Sequence, residues 1–377
     1  MSIRIFMRLL TALILSDNRP GHYHLSDGVI AALRRLRPVR VEQMTVHRRC
    51  SGRLAAWLSD LGFPPQALLR LIYGLAPSQV PSADVIVSAG AETLPASAAI
   101  ARLNGVPNVF CGSLRHFHPD SFRLVLTSYP SHADRPRHVM VLKPSALSRK
   151  ELARSAALLS AGAVPQVMAL LLGGNSRECQ FQAEDWSKLL DLTEHAYQAL
   201  GIRWVVSNSP RTPENVSDFF AAHSAAGSEA IITFVDVRVT GPGTIGQVLE
   251  PAEAVVCTDD SSSMVSECIS AGRPVIGVQP QRVRFTPEEQ GYRQYLIQNG
   301  WYRTIPISVL TPDVLLDEIA RIRPLGEDPL DRLASILQEH LPELFDEAQP
   351  VPVPAGSPLP IGTPQLPVAL KPLSSGL

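Results

Sequence analysis

Short runs of apolar residues recur along this chain, and stretches with helical periodicity separate them. That alternation is typical of a parallel sheet whose strands are joined by crossover helices. In the first half the pattern predicts a helix over 25–37, helical material over 49–75, and strands at 10–15, 39–44, 84–88, 108–111 and 123–127. The first half is therefore predicted to be an α/β unit.

The same pattern restarts in the second half. It predicts helices over 183–200 and 262–271, and strands at 166–172, 203–207, 231–235, 254–257 and 274–278. Parallel strands present their carboxyl ends at one edge of a sheet, so two such units in series predict two Rossmann-like domains facing a cleft. We assign residues 1–145 to an N-terminal acceptor-side domain, 146–164 to a linker and 165–348 to a C-terminal donor domain.

The composition is that of a globular protein, with 45% hydrophobic residues, 18% charged residues and a net charge of −1. This balance does not indicate the basic surface of a nucleic-acid-binding protein. The five cysteines form no CxxC pair, which predicts reduced thiols and a cytoplasmic protein. No segment has the roughly 18–20 consecutive apolar residues of a membrane helix. Eight prolines fall at or after residue 350, so residues 349–377 are predicted to form a disordered tail.

A Gly-His turn follows the first predicted strand, where residues 17–22 read Asp-Asn-Arg-Pro-Gly-His. Histidine titrates near neutral pH, so His22 can remove a proton from a hydroxyl group, and Asp17 lies close to it in the sequence. Gly21 allows the sharp turn and the close approach of a ligand. His22 and Asp17 are therefore candidate catalytic residues, although an ordinary surface turn capped by an aspartate would also account for them.

Polar loops follow three of the second-half strands. Gly173 and Gly174 are able to cradle a phosphate with backbone N–H groups, although the Gly-Lys-Ser/Thr of a Walker loop does not follow them. Arg211, in the next loop, can pair with a diphosphate oxygen, but an exposed arginine near a helix start would have the same sequence. These two loops are candidate parts of a nucleotide site.

The most informative loop is the run from Thr258 to Glu267. Its serines begin a predicted helix, where the helix dipole favours an anion. Glu267 lies a turn or more into that helix, within reach of a ribose diol beyond the phosphates. An ordinary N-cap would explain one of the hydroxyl groups, but three serines and two aspartates exceed what a cap requires.

In this order, these loops resemble the glycosyltransferases of the GT-B type, which have two Rossmann-like domains. The closer resemblance is to the mitochondrial-fission "elongated mitochondria" family of plants and its bacterial relatives. The matching segments are 17–22, 173–176, 209–213 and 260–267, and the resemblance spans about residues 10–345. It implies a donor-binding set made of Gly173, Gly174, Asn175, Ser176, Arg211, Ser261, Ser262, Ser263 and Glu267.

On the acceptor side, the resemblance implies a second set of residues in the first half, namely Gly21, Thr93 and Arg115. The activity it implies is the transfer of a sugar from a nucleotide-diphosphate donor to an unknown acceptor. Asp259 and Asp260 are adjacent and do not form an Asp-x-Asp motif, so we expect no metal site and no obligatory cofactor. N–H dipoles and cations would then compensate the leaving diphosphate. We expect no nucleic-acid partner, while peripheral contact with a membrane stays open.

Two other functions are consistent with the same loops. One is a nucleotide-sugar 2-epimerase or hydrolase of this fold, although such enzymes prefer Asp-Ser-Gly-Gly where this chain has Ser262 and Ser263. The other is a catalytically silent scaffold that binds a nucleotide. Binding of nucleoside diphosphates would argue against a scaffold with a vestigial cleft, and the reaction products would separate a transferase from an epimerase.

Overall fold

The protein is described by a computed structural model, which covers residues 9–152, 163–241 and 243–345. Two six-stranded sheets dominate the fold, and all neighbouring strands within each sheet are parallel. The α/β fold class predicted from the sequence is confirmed. The predicted tail at 349–377 lies outside the described residues, as does much of the predicted linker. Within the described ranges, no helix is long and apolar enough to cross a membrane.

The first sheet has the strand order β2-β1-β3-β4-β5-β6. Its strands are β1 (Leu10–Ser16), β2 (Val39–Thr45), β3 (Val85–Ala89), β4 (Asn108–Cys111), β5 (Leu124–Thr127) and β6 (His138–Met140). The helices of this half are α1 (Pro20–Leu36), α2 (Gly52–Asp60), α3 (Pro65–Tyr73), α4 (Leu94–Asn104) and α5 (Arg149–Leu152). All residues of β3, β4 and β5 are buried, as expected for parallel strands with helices on both faces.

The second sheet has the order β10-β9-β7-β11-β12-β14. Its strands are β7 (Val167–Leu171), β9 (Arg203–Ser207), β10 (Ile231–Val235), β11 (Ala254–Thr258), β12 (Val275–Gln279) and β14 (Tyr302–Pro306), while β8 (Cys179–Gln180) and β13 (Arg282–Val283) form a small antiparallel pair. The helices are α6 (Ala183–Leu200), α7 (Glu214–Ala225), α8 (Val237–Thr240), α9 (Ile245–Leu249), α10 (Ser262–Ser270), α11 (Pro287–Gln298), α12 (Pro312–Ala320) and α13 (Pro329–His340). Short 3-10 turns occur at Pro77–Gln79, Pro119–Ser121, Pro130–His132, Ile307–Val309 and Pro342–Leu344.

The start of α1 differs from the sequence prediction. The helix begins at Pro20, not at residue 25, because proline fits the first helical turn, where its missing N–H group is not needed. The predicted start at 25 is therefore wrong. As a consequence, Gly21 and His22 belong to the first turn of α1 and not to a loop, which fixes the direction of the backbone at the histidine.

The last helix, α13, packs on the first sheet although it follows the second sheet in the sequence. Its apolar residues recur at helical spacing, and Leu330, Leu333 and Leu337 are buried in the core formed by β1 and α1. Asp328 caps the helix by accepting a hydrogen bond from the N–H of Leu330 at 3.0 Å. From the sequence, no helix is predicted over 329–340, and the residues of α13 fall within the range 165–348 assigned to the second domain. An amphipathic stripe predicts burial, but it does not say which core receives it.

The burial of Leu337 predicts a large effect on stability. We expect Leu337→Ala to lower the free energy of unfolding by roughly 2–5 kcal/mol, because the side chain is fully buried and its removal leaves a cavity. Urea unfolding followed by circular dichroism measures this change. Val309→Ala, at an exposed apolar position, is the matched control. Equal stability of the two variants would contradict the packing of α13 on the first sheet.

Candidate functional site

A cleft of about 1160 Å³ lies between the two sheets. Its walls come from residues that directly follow strands of both sheets, as expected for a site at the carboxyl ends of parallel strands. The predicted site residues that line this cleft are Gly21, His22, Arg115, Arg211, Ser261, Ser263 and Glu267. The others are not part of the lining, namely Asp17, Thr93, Gly173, Gly174, Asn175, Ser176 and Ser262.

On the wall of the first sheet, His22 forms a pair with Asp17. The Nδ1 atom of His22 lies 2.8 Å from Asp17 Oδ2, and the aspartate is buried while about 33% of the histidine side chain is exposed. Because an ionised carboxylate only accepts hydrogen bonds, Nδ1 donates, and Nε2 keeps the lone pair that takes up a proton. The other oxygen of Asp17 accepts a hydrogen bond from the N–H of Arg19 at 3.2 Å. The pair is therefore held from both sides.

Gly90, which the sequence analysis did not select, lies against this pair. Its φ angle is +88°, a conformation that favours glycine. A Cβ atom at this position would lie 2.3 Å from His22 Nδ1 and 2.9 Å from Asp17 Oδ2. The hydroxyl of Thr93 donates to the carbonyl oxygens of Ala89 and Gly90 at 3.0 Å each. Thr93 is buried and shapes this loop, so it has no direct contact with the cleft.

The opposite wall contains the N-terminus of α10. Ser261 is the N-cap, and its hydroxyl oxygen accepts a hydrogen bond from the N–H of Met264. Ser263 and Glu267 are four residues apart, so they lie on the same face of the helix, and both line the cleft. Ser262 is not part of the lining, and its hydroxyl oxygen accepts a hydrogen bond from Nζ of Lys143, which lines the cleft. The first-turn N–H groups of α10 and two hydroxyls thus stand at one end of the cleft.

Glu267 lies one turn farther along α10. Among the described residues, its carboxylate makes no ion pair or side-chain hydrogen bond. Burial of the carboxylate raises its pKa to about 7. A carboxylate in this environment is stabilised by any ligand that donates hydrogen bonds to it. Glu267 lies one turn past the helix N-terminus. If an anion is bound at Ser261 and Ser263, a neighbouring uncharged group of the same ligand can donate hydrogen bonds from a pair of hydroxyls to Glu267.

The two glycines predicted as a phosphate cradle make contacts with protein groups. Gly173 N–H donates to the Thr258 hydroxyl at 2.7 Å, and Gly174 N–H donates to Asp260 Oδ2 at 3.2 Å. Cβ atoms at these two positions would lie 2.0 Å from Asp260 Oδ1 and from the Arg211 carbonyl oxygen, respectively. Glycine is thus required for the close approach of three loops. Direct donor contact by these N–H groups stays a prediction.

The next two residues of that loop stabilise its turn. Asn175 Oδ1 accepts a hydrogen bond from the N–H of Phe181 at 2.7 Å. The Ser176 hydroxyl oxygen accepts hydrogen bonds from the N–H groups of Glu178 and Cys179 at 3.1 and 3.0 Å. Both side chains therefore shape the backbone that follows β7, and their contact with a donor also stays a prediction.

Arg211 reaches the cleft from the loop after β9. Its guanidinium forms an ion pair of 2.6 Å with Asp260, whose carboxylate is buried. Burial raises the pKa of Asp260, and the charge of Arg211 opposes that rise. About 46% of the arginine side chain stays exposed, so part of the guanidinium is accessible to an anion in the cleft. On the first-sheet wall, Arg115 supplies a second cation at the cleft surface.

A buried network that the sequence analysis missed adjoins the α10 N-terminus. Glu289 Oε1 accepts hydrogen bonds from Lys143 Nζ at 3.1 Å and from the Tyr129 hydroxyl at 2.8 Å. Arg293 forms two ion pairs of 2.8 Å each: its Nη1 pairs with Glu289 Oε2, and its Nε pairs with Asp259 Oδ1. Burial alone would raise the pKa of Glu289, but the charges of Lys143 and Arg293 outweigh it and hold that pKa at about 2.

The sequence contained a weak signal for this network. Lysine occurs only four times in the chain, and Lys143 lies just before the predicted linker, so its rarity is the one local signal for a specific partner. Nothing in the sequence pairs it with Glu289, which lies 146 residues away.

For the residues that the structure describes, no group of three or more histidine, cysteine or acidic residues is placed to hold a metal ion.

Several solved bacterial structures align with this chain over most of its length. A Listeria monocytogenes protein assigned as a UDP-N-acetylglucosamine 2-epimerase aligns with a TM-score of 0.53 and 11% identity, over 91% of this chain and 98% of its own. The MnaA protein of S. aureus, solved with UDP, aligns with a TM-score of 0.50 and 12% identity, over 90% and 99%. The MurG protein of Acinetobacter baumannii has a TM-score of 0.47 and 14% identity, over 87% and 99%. At these identities the likeness shows the fold, which is of the GT-B type.

Sequence comparison identifies the family. No curated protein matches the chain. The family model described as Mitochondrial fission ELM1 matches residues 20–340, which contain both sheets except β1. That range also contains His22, Glu267 and the network around Glu289. The chain therefore belongs to the Mitochondrial fission ELM1 family.

Proposed function

We propose that this protein transfers a glycosyl group from a nucleoside-diphosphate sugar to an acceptor hydroxyl group. The observation that carries the proposal is the pairing of two walls across one cleft. A histidine–aspartate pair lies on the side of the first sheet, and on the side of the second lies a helix N-terminus followed by a glutamate that has no partner within the described part of the chain. The fold neighbours named as epimerases share this architecture, so the choice of reaction depends on the site residues and not on the fold.

In the proposed donor complex, the diphosphate lies at the N-terminus of α10. N–H groups of the first turn and the hydroxyls of Ser261 and Ser263 donate to its oxygens, and Arg211 contributes positive charge. Glu267 accepts hydrogen bonds from the ribose hydroxyls. The preorganised dipoles and the cation compensate the negative charge that develops on the leaving diphosphate, and we therefore propose a metal-independent reaction.

In the proposed reaction, His22 Nε2 takes the proton of the acceptor hydroxyl while that oxygen attacks the anomeric carbon. The bond from this carbon to the diphosphate oxygen breaks, and the nucleoside diphosphate leaves with the electron pair. Asp17 keeps His22 in the tautomer that has a free Nε2 and stabilises the imidazolium that forms. A single displacement of this kind inverts the anomeric configuration.

A panel of nucleotides tests the donor half of the proposal. We expect nucleoside diphosphates to raise the melting temperature, because a ligand that binds only the folded state stabilises it. UDP is the first member of the panel, since the S. aureus neighbour was solved with it. A Ser261→Ala, Ser263→Ala double variant should lose most of this shift. The absence of any shift with the wild-type protein would contradict the proposed donor site and favour a scaffold with a vestigial cleft.

The pH dependence of nucleotide binding tests the role of Glu267. Ribose hydroxyls donate to the ionised carboxylate, so binding favours the charged form, and affinity is lost as the pH falls through about 7. Calorimetry should show a dissociation constant that rises up to about ten-fold per pH unit below that pKa. Glu267→Gln should bind more weakly with a flatter profile, which also corrects for titration of the nucleotide itself. Identical profiles would remove Glu267 from the donor site.

Loss of the proposed base should slow the chemical step. We expect His22→Ala to lower kcat by about 10²–10⁴, and Asp17→Asn to lower it as well because asparagine does not stabilise the imidazolium. The matched control is His223→Ala, which removes a histidine paired with Glu194 at 2.6 Å on helices outside the cleft lining. Product analysis by mass spectrometry and NMR follows the reaction. Epimerised nucleotide sugar without transfer would instead support the epimerase alternative.

A further inference from the structure

An exposed apolar face lies on α2 and α3. Four of the ten exposed large hydrophobic residues in the described part of the chain fall within this short segment. They are Leu54, Trp57 and Leu61 at the helical spacing of one stripe, and Leu71 on the next helix, with exposed fractions of 44%, 56%, 56% and 57%. We call these four residues the α2–α3 face. A large apolar surface of this kind on a folded chain marks an interaction site.

The opposite sides of both helices are buried in one core. Ala55 and Ala56 of α2 share this core with Leu68, Leu69 and Ile72 of α3. The two helices therefore present their outer sides to solvent on the same side of the first sheet. Because the core is complete without them, the four exposed residues contribute little to folding, and their apolar character needs another explanation.

Positive charge surrounds the face. Residues 46–75 contain four arginines and one aspartate, a net charge of +3 within a chain whose total is −1. Arg49, Arg53 and Arg70 are exposed, while Arg48 is paired with Glu92 at 2.7 Å. The segment combines an exposed tryptophan and exposed leucines with neighbouring arginines. This composition is typical of a helix that lies in the interface of a membrane with anionic lipids.

The charge also argues against a second copy of the chain as the occupant. A two-fold interface through this face would bring arginines of one copy against arginines of the other, and like charges at an interface are repulsive. A negatively charged lipid surface complements the charge of this segment.

We infer that the α2–α3 face docks the protein on anionic membrane surfaces, with Trp57, Leu54, Leu61 and Leu71 inserted at the headgroup level and the arginines on the lipid phosphates. The face is connected to the cleft, because the Tyr73 hydroxyl donates to the Glu92 carbonyl oxygen at 2.6 Å and the adjoining Gly90 and Ala91 line the cleft. Docking through it would bring the first-sheet wall of the cleft close to the membrane. The inference does not depend on the proposed transferase activity.

Sedimentation of the full chain with lipid vesicles tests this inference. We expect binding to vesicles of phosphatidylcholine mixed with phosphatidylglycerol, little binding to phosphatidylcholine alone, and weaker binding at high salt. A Trp57→Gln, Leu61→Gln double variant should bind at least about ten-fold more weakly. Arg53→Gln and Arg70→Gln should each weaken binding by about five-fold. The matched control is Val239→Gln, at an apolar residue with 84% exposure outside the face, which should bind like the wild type.

Two outcomes would overturn the inference. One is wild-type protein that does not sediment with the anionic vesicles, or a double variant that binds them as the wild type does. The other is a wild-type dimer in analytical ultracentrifugation that the double variant converts to a monomer, which would assign the face to self-association. A nucleotide-induced thermal shift, measured on the same variants, keeps this result separate from the proposed function, since the donor site should be unaffected.

Discussion

The charge on Glu289 is the constraint on which the arrangement of the cleft depends. This carboxylate lies where the two halves of the molecule meet and is largely, though not fully, shielded from solvent, with 14% of its side chain exposed. Removing its partners would leave a poorly solvated charge unpaired. Lys143 and Tyr129 of the first half supply its partners, and Arg293 connects it to Asp259 at the end of β11. Asp259 directly precedes the loop that begins α10. The ion pairs therefore set the position of the α10 N-terminus relative to the first sheet.

The acidic residues on the two sides of the cleft, Asp17 and Glu267, differ in their hydrogen-bonding partners. Both carboxylate oxygens of Asp17 have partners within hydrogen-bond distance, and the close packing of Gly90 leaves the pair no room to rearrange. Glu267 has neither an ion partner nor a side-chain hydrogen bond among the described residues, and burial raises its pKa to about 7. A residue that orients a base needs rigidity, whereas a residue that binds a ligand needs unused hydrogen-bonding capacity. The sequence predicted both acids but could not tell these two environments apart.

Local patterns predicted most of the fold, and long-range contacts account for what they missed. The helix over 183–200 and the strand at 203–207 have the predicted bounds, since each combines a clear period with a glycine or polar boundary. The strands β6 and β14 were missed because one has three residues and the other contains Arg303 and Thr304 at its centre. Gly173 and Gly174 stand out in the sequence as a glycine pair after a strand. In the structure, this pair is where three loops approach one another. The partners of Lys143 depend on the packing of the two halves, which no local pattern records.

The position of α13 has a consequence for the order in which the chain acquires its structure. The first sheet contains the earliest described strand, yet part of its apolar core comes from leucines more than 290 residues later, among them Leu330 and Leu337 beside Leu10. During synthesis on the ribosome, α1 alone covers that side of the sheet until the end of the second half has emerged. The N-terminal half therefore lacks part of its apolar core until the chain is nearly complete. Cutting the chain between the two sheets would separate α13 from its core and leave an exposed, aggregation-prone apolar surface on both fragments.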